Sequence, residues 1–159
     1  MNEPGTYVQV YSARGDFRWQ ETLGEETYGG VKFGVSANDE YIIVYTPKPK
    51  RHIDIFETAD GRHLRRIEVD SPTRGDYFAG GVSNDGLLSY VTFVESPTGG
   101  PSKSSAHLYY GESLVAEFYD VYDGRDLASG AYNVILSEAA ELVLITAGSR
   151  FRIFKLAAR

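Results

Sequence analysis

The sequence predicts an all-β fold built from repeated four-stranded antiparallel units. Composition is the first of three observations behind this: 12 Tyr, 8 Phe and 17 Gly stand among 159 residues. Aromatic and β-branched side chains suit a pleated, half-buried surface, and glycine serves the turns between short strands. The second observation is an alternating strand closing on an aromatic, which recurs four times. The third is a polar turn opened by serine and followed by a very apolar strand, which recurs three times between copies of the first.

The aromatic-closed strand reads Val8-Gln9-Val10-Tyr11 with Gly15, then Ile53-Asp54-Ile55-Phe56 with Asp60-Gly61. It returns as Ala116-Glu117-Phe118-Tyr119 with Asp123-Gly124, and as Phe151-Arg152-Ile153-Phe154. Period-2 alternation running into Asp-Gly signals a strand entering a hairpin turn. Phe56 and Tyr119 are expected to occupy equivalent positions. The serine turns are Ser36-Ala37-Asn38-Asp39-Glu40 before Tyr41–Tyr45, Ser83-Asn84-Asp85-Gly86 before Leu87–Val91, and Ser137–Glu141 before Leu142–Ile145. Asn and Asp fit such turns because their side chains bond nearby backbone and tolerate left-handed conformations.

Interleaving the two patterns gives a unit of four strands: a small-residue strand, an apolar strand, the alternating strand, and a polar outer strand such as residues 62–69. Small residues suit a crowded inner position, and charges protect an outer edge. The chain is expected to form one domain, 1–159. It holds a partial unit at 7–24, units at 31–70 and 78–128, and a partial unit at 132–157. The unit at 78–128 carries a loop insertion at 95–107, rich in Pro, Gly and Ser. Strands three and four, two whole units, then strands one to three give thirteen strands.

These residues resemble WD-repeat-like β-propeller sequences and the looser quinoprotein-type repeats. Ser83-Asn84-Asp85-Gly86 matches the hairpin before the apolar strand, and Phe56-Glu57 and Tyr119-Asp120 match the aromatic-acidic step. The Trp-Asp and Gly-His dipeptides are absent, so the family's Asp-His bonding network is not carried over. The resemblance implies four-stranded propeller blades, about three per chain, with partners docking at the central funnel and the loops around it. Because propellers use about four to eight blades, it also implies a homo-oligomer or a larger propeller chain. A head-to-tail arrangement would close a ring.

The loop positions on the docking face hold Lys48, Lys50, Arg51, Arg74, Tyr77 and Lys103, a candidate rim for a protein or peptide partner of acidic character. Charged loop residues also simply keep a loop soluble. A net charge of −6 argues against general nucleic-acid binding, which needs a cationic face. The absence of Cys removes disulfides, thiolate nucleophiles and the common zinc frameworks. His52, His63 and His107 lack metal-ligand spacing and are expected to be exposed. No nucleophile elbow, phosphate loop or calcium loop is found, so neither a catalytic residue, a metal nor a cofactor is expected. Residues 1–6 lack a signal-peptide pattern, and no apolar run is long enough for a membrane helix. A cytoplasmic location with no membrane contact is the expectation. Trp19 is expected to cover an edge or to pack between copies.

The leading functional expectation is a non-enzymatic protein-protein interaction scaffold. One alternative is a hydrolase or lyase on a propeller scaffold, with acids in the funnel. Another is a small β-barrel or sandwich binding an apolar ligand.

Overall fold

The computed structural model describes residues 6–24, 32–46, 51–69, 76–95, 102–122, 132–137, 142–147 and 150–155. Among these, thirteen strands form four antiparallel sheets and there is no helix. The first sheet pairs β1 (Thr6–Tyr11) with β2 (Phe17–Gly24). The second orders β3 (Lys32–Val35), β4 (Tyr41–Thr46), β5 (His52–Glu57) and β6 (His63–Glu68). The third orders β7 (Asp76–Val82), β8 (Leu88–Glu95), β9 (Ser102–Tyr110) and β10 (Ser113–Tyr122). The fourth orders β11 (Tyr132–Leu136), β12 (Leu142–Ala147) and β13 (Arg150–Lys155). Sheets of two, four, four and three strands are what the interleaved patterns predict.

The sheets stack face to face, and each gap is a separate apolar core. Trp19, Ile42, Val44 and Phe56 fill the first gap, with Val8, Val10 and Leu23 against them. Ile43, Ile53, Ile55 and Ile67 meet Val82, Val91, Phe93 and Tyr109 in the second. Leu88, Ala106 and Leu108 meet Tyr132, Val134, Val143 and Ile145 in the third. Side chains of a strand alternate between its two faces, which is why neighbours such as Ile42 and Ile43 serve different gaps. The first strands β3, β7 and β11 come together at one edge. There a Cβ on Gly34 would collide with the carbonyl oxygen of Gly80, so the inner strands tolerate no side chain at that point. This is the architecture of propeller blades, and a barrel or two-sheet sandwich is set aside.

The serine turns fix the register of each blade. The amides of Tyr41, Leu88 and Leu142 each donate to the hydroxyl of the serine five residues earlier, at 3.0 Å in all three cases. The serine amides return the bond to those residues' carbonyls. Asp39 and Gly86 hold the same left-handed place, at φ 60° and 71°. Farther out, three sheets share a bulge: the outer strand skips Arg18, Leu64 and Val115 at matching positions. One extra residue there bends the outer strand and increases its twist.

Counting from the serines corrects one expected equivalence. Phe56 pairs with Ile42, Tyr109 with Ser89 and Phe154 with Val143, each partner lying six residues past its serine. Tyr109 is therefore the counterpart of Phe56. Tyr119 lies on the outermost strand β10 and is 47% exposed, whereas Phe56 is 2% exposed. The third strand is β9, which begins at Ser102, so residues 102–107 of the expected loop insertion are strand. Ser104, Ser105, Ala106 and His107 are buried, and their backbone is paired on both sides by β8 and β10.

Candidate interaction surface

Among the rim residues, Arg51, Tyr77 and Lys103 fall at the end of the stack opposite the serine turns. Arg51 directly precedes β5, Tyr77 pairs with Phe93 at the start of β7, and Lys103 pairs with Glu95 at the start of β9. The register thus brings Arg51, Tyr77 and Lys103 to one end of the second and third sheets. Lys48, Lys50 and Arg74 lie outside the described residues. Arg51 is half-buried, with its guanidinium 5.4 Å from the centroid of the Phe93 ring. Its carbonyl accepts from the Val69 amide at 2.9 Å. Arg51 therefore ties two blades together as well as bordering the loops. A cation over an aromatic face contributes about 0.5–2 kcal/mol, more as it is desolvated.

The histidines depart from expectation. His52 and His107 are buried, and only His63 is exposed. His52 and His63 surround Asp54, a wholly buried carboxylate on β5. His63 Nε2 lies 2.8 Å from Asp54 Oδ1, and Arg66 donates through Nε and Nη2 at 2.8 and 3.1 Å. His52 Nε2 is 3.3 Å from Oδ2. The bond to Asp54 holds the Arg66 guanidinium above its usual pKa. A carboxylate taken fully out of water needs such partners to remain charged. In the next blade His107 occupies the place of Asp54, stacked on Tyr109 at 6.5 Å and edge-on to Phe93 at 5.6 Å. The one signal in the sequence was a charged residue at an inward position of the strand Ile53-Asp54-Ile55-Phe56.

At the serine-turn end, a cleft of about 200 Å³ opens between the inner strands. Val35, Val82, Asn84, Tyr90, Leu136 and Ser137 are among its walls. Burial pushes the Tyr90 phenol above its usual pKa. Two hydrogen bonds join neighbouring blades beside the cleft: the Asn38 amide donates to Asn84 Oδ1 at 3.0 Å, and Asn38 Nδ2 donates to the Asn84 carbonyl at 3.1 Å. Trp19 is buried inside the chain rather than placed between copies. Its Nε1 donates to the Thr58 carbonyl at 2.9 Å, and its ring lies 5.9 Å from Phe56.

Asp54 is committed to its three partners, and no cluster of His, Cys, Asp and Glu suited to a metal is found among the described residues. No helix among them is long and apolar enough to cross a membrane. No family model matches the chain, and no curated protein matches it. Among solved structures it is similar to BamB from Moraxella catarrhalis, at a TM-score of 0.43 and 12% identity over 96% of this chain. The chain spans 56% of the length of that protein.

Proposed function

We propose that this chain is a non-enzymatic protein-protein interaction scaffold made of propeller blades. Its repeats belong to the divergent WD-repeat-like or quinoprotein-type class. The observation that carries this reading is the outer flank of the fourth sheet, where Ile135, Leu142, Phe151 and Ile153 are all exposed on a regular sheet. Contiguous apolar surface of this kind is rarely left bare on a soluble monomer and marks a contact surface. The ring is completed by self-association or within a larger propeller chain. The loop end adds a second surface. Lys48, Lys50, Arg51, Arg74, Tyr77 and Lys103 form a rim that attracts an acidic peptide to the funnel.

The rim is tested with a fluorescein-labelled hexaglutamate peptide, by anisotropy at low and physiological salt. Lys48→Ser, Lys50→Ser and Lys103→Ser are combined, sparing Arg51 because its guanidinium packs on Phe93. Binding is expected to weaken at least tenfold in the triple variant and to fall with salt. Unchanged affinity at low salt rejects the rim.

A further inference from the structure

The first three sheets each end in an outer strand, β2, β6 or β10, whose far edge pairs with no strand among the described residues. An edge of this kind is a template for another strand unless charges, proline, shortness or a bulge protect it. β6 is protected: it has six residues, among them His63, Arg65, Arg66 and Glu68. β2 carries Arg18 and Glu21 over eight residues. β10 is the longest described strand, at ten residues, and Ser113–Tyr122 contains no lysine, arginine or proline. Its bulge lies at Val115, and from Ala116 to Tyr122 its pairing with β9 runs without a break. The regular part of the edge is therefore seven residues long.

The side chains along β10 say what fits beside it. Ala116 and Phe118 turn into the third gap, so Glu117 and Tyr119 stand on the opposite face of the strand, and both are exposed. Every charge on the strand is acidic, Glu117 and Asp120, and exposed Glu112 precedes it in the turn from β9. Opposite charges on facing strands stabilise a pair and like charges destabilise it. The β10 strand of a second copy would therefore set acid against acid. The basic strand β6 of a second copy is already engaged, with Arg66 held by Asp54 and Arg65 half-buried. Blades meet through their faces, as the three gaps show, and the third sheet already has its four strands, so a further blade does not pair with this edge.

We propose that the outer edge of β10 receives an extended, lysine- or arginine-bearing peptide of a partner protein as a fifth strand of the third sheet. This rests on the scaffold reading and gives it a second surface, of opposite charge preference to the rim. Main-chain hydrogen bonds along residues 116–122 supply the affinity, and alternate side chains supply the selectivity. A cation opposite Glu117 meets a carboxylate, and the aliphatic stem of a neighbouring lysine lies along the exposed Tyr119 ring while its head stays in water.

The probe is a fluorescein-labelled peptide alternating lysine and valine, with four lysines and three valines to match the regular edge, titrated with the 159-residue chain at low salt and read by anisotropy. A peptide of the same sequence and charge, methylated at every backbone nitrogen, cannot pair as a strand and is expected to bind about tenfold more weakly or worse. Combining Glu117→Lys with Asp120→Lys is expected to weaken the unmethylated peptide by about tenfold or more, with circular dichroism checking the fold. Should that variant unfold, Glu117→Gln with Asp120→Asn takes its place. No binding of the lysine-valine peptide at low salt overturns the proposal. Equal binding of the methylated peptide also overturns it, because charge alone would then hold the peptide, and so does affinity unchanged by the substitutions. Light scattering covers the remaining occupant: assembly of the parent chain that the double substitution abolishes, without peptide binding, puts a second copy on this edge instead. Hexaglutamate binding without lysine-valine binding sinks this edge alone, and the reverse sinks the rim alone.

Discussion

Replacing Trp19 with Ala should release the first sheet from the second while leaving the rest of the stack folded. The indole is buried against Phe56 and sits over Gly61, where a Cβ would lie 2.6 Å from Trp19 Cδ2. Gly61 has φ +77°, so both its conformation and the ring above it require glycine. Truncating a buried Trp costs about 3–5 kcal/mol, and losing the bond to the Thr58 carbonyl adds about 1 kcal/mol. What remains is Val8, Val10 and Leu23, all partly exposed, on a two-stranded hairpin that is marginal by itself. A local docking loss of about 4 kcal/mol corresponds to roughly a thousandfold fall in protection factor. Amide hydrogen exchange is the assay: β1 and β2 should lose about three decades of protection while β8 and β9 keep most of theirs. If β1 and β2 stay as protected as in the parent chain, or if denaturant unfolding shifts by less than about 1 kcal/mol, the indole is not the anchor argued here.

Two further outcomes follow from the buried polar groups. Arg66→Ala should destabilise more than Asp54→Ala, by about 1 kcal/mol or more in denaturant melts at pH 8. The first takes both arginine donors from a wholly buried carboxylate and leaves it only the imidazoles of His52 and His63, while the second leaves Arg66, whose side chain is 56% exposed, free to reach water; equal losses would refute that asymmetry. Burial raises the Tyr90 pKa in the folded chain above its unfolded value near 10. The stability this contributes is therefore complete below about pH 10 and lost as pH rises through the folded pKa. Tyr90→Phe should flatten that alkaline decline, as seen in unfolding midpoints between pH 9 and 11.

The blade count was legible because its signals are local. A serine hydroxyl bonding an amide five residues on needs only a short polar turn and a left-handed residue. Both are visible as Ser83-Asn84-Asp85-Gly86 and Ser36-Ala37-Asn38-Asp39. The third blade was misregistered because alternation does not distinguish a third strand from an outer one. Phe118-Tyr119 with Asp123-Gly124 imitates the earlier motif, and Ser102-Lys103-Ser104-Ser105 has the composition of a loop. Ser104 and Ser105 are buried because each gap needs small side chains where sheets approach, a demand of tertiary packing that composition does not reveal. The same applies to His52 and His107, whose burial depends on partners distant in sequence or on another sheet. Of the rim, the sequence placed Arg51, Tyr77 and Lys103 at a common end. It did not anticipate that Arg51 packs on Phe93.

The position occupied by Trp19 shows how the repeat survives such divergence. Trp19 pairs with Val10 just past the shared bulge, as Arg65 pairs with Ile55 and Ala116 with Leu108. The same seat thus bridges three successive gaps with an indole, a guanidinium and a methyl group. Burial lowers the Arg65 pKa, with Asp85, Glu112 and Tyr41 opposing that shift, whereas Trp19 bonds a carbonyl and Ala116 only fills space. Blade geometry set by serine turns and a bulge leaves each gap free to choose its own side chains. In a stacked array, stability is close to a sum of repeat terms and nearest-neighbour interfaces, so each gap can change without disturbing the next. A missing Trp-Asp signature is then no obstacle to the fold.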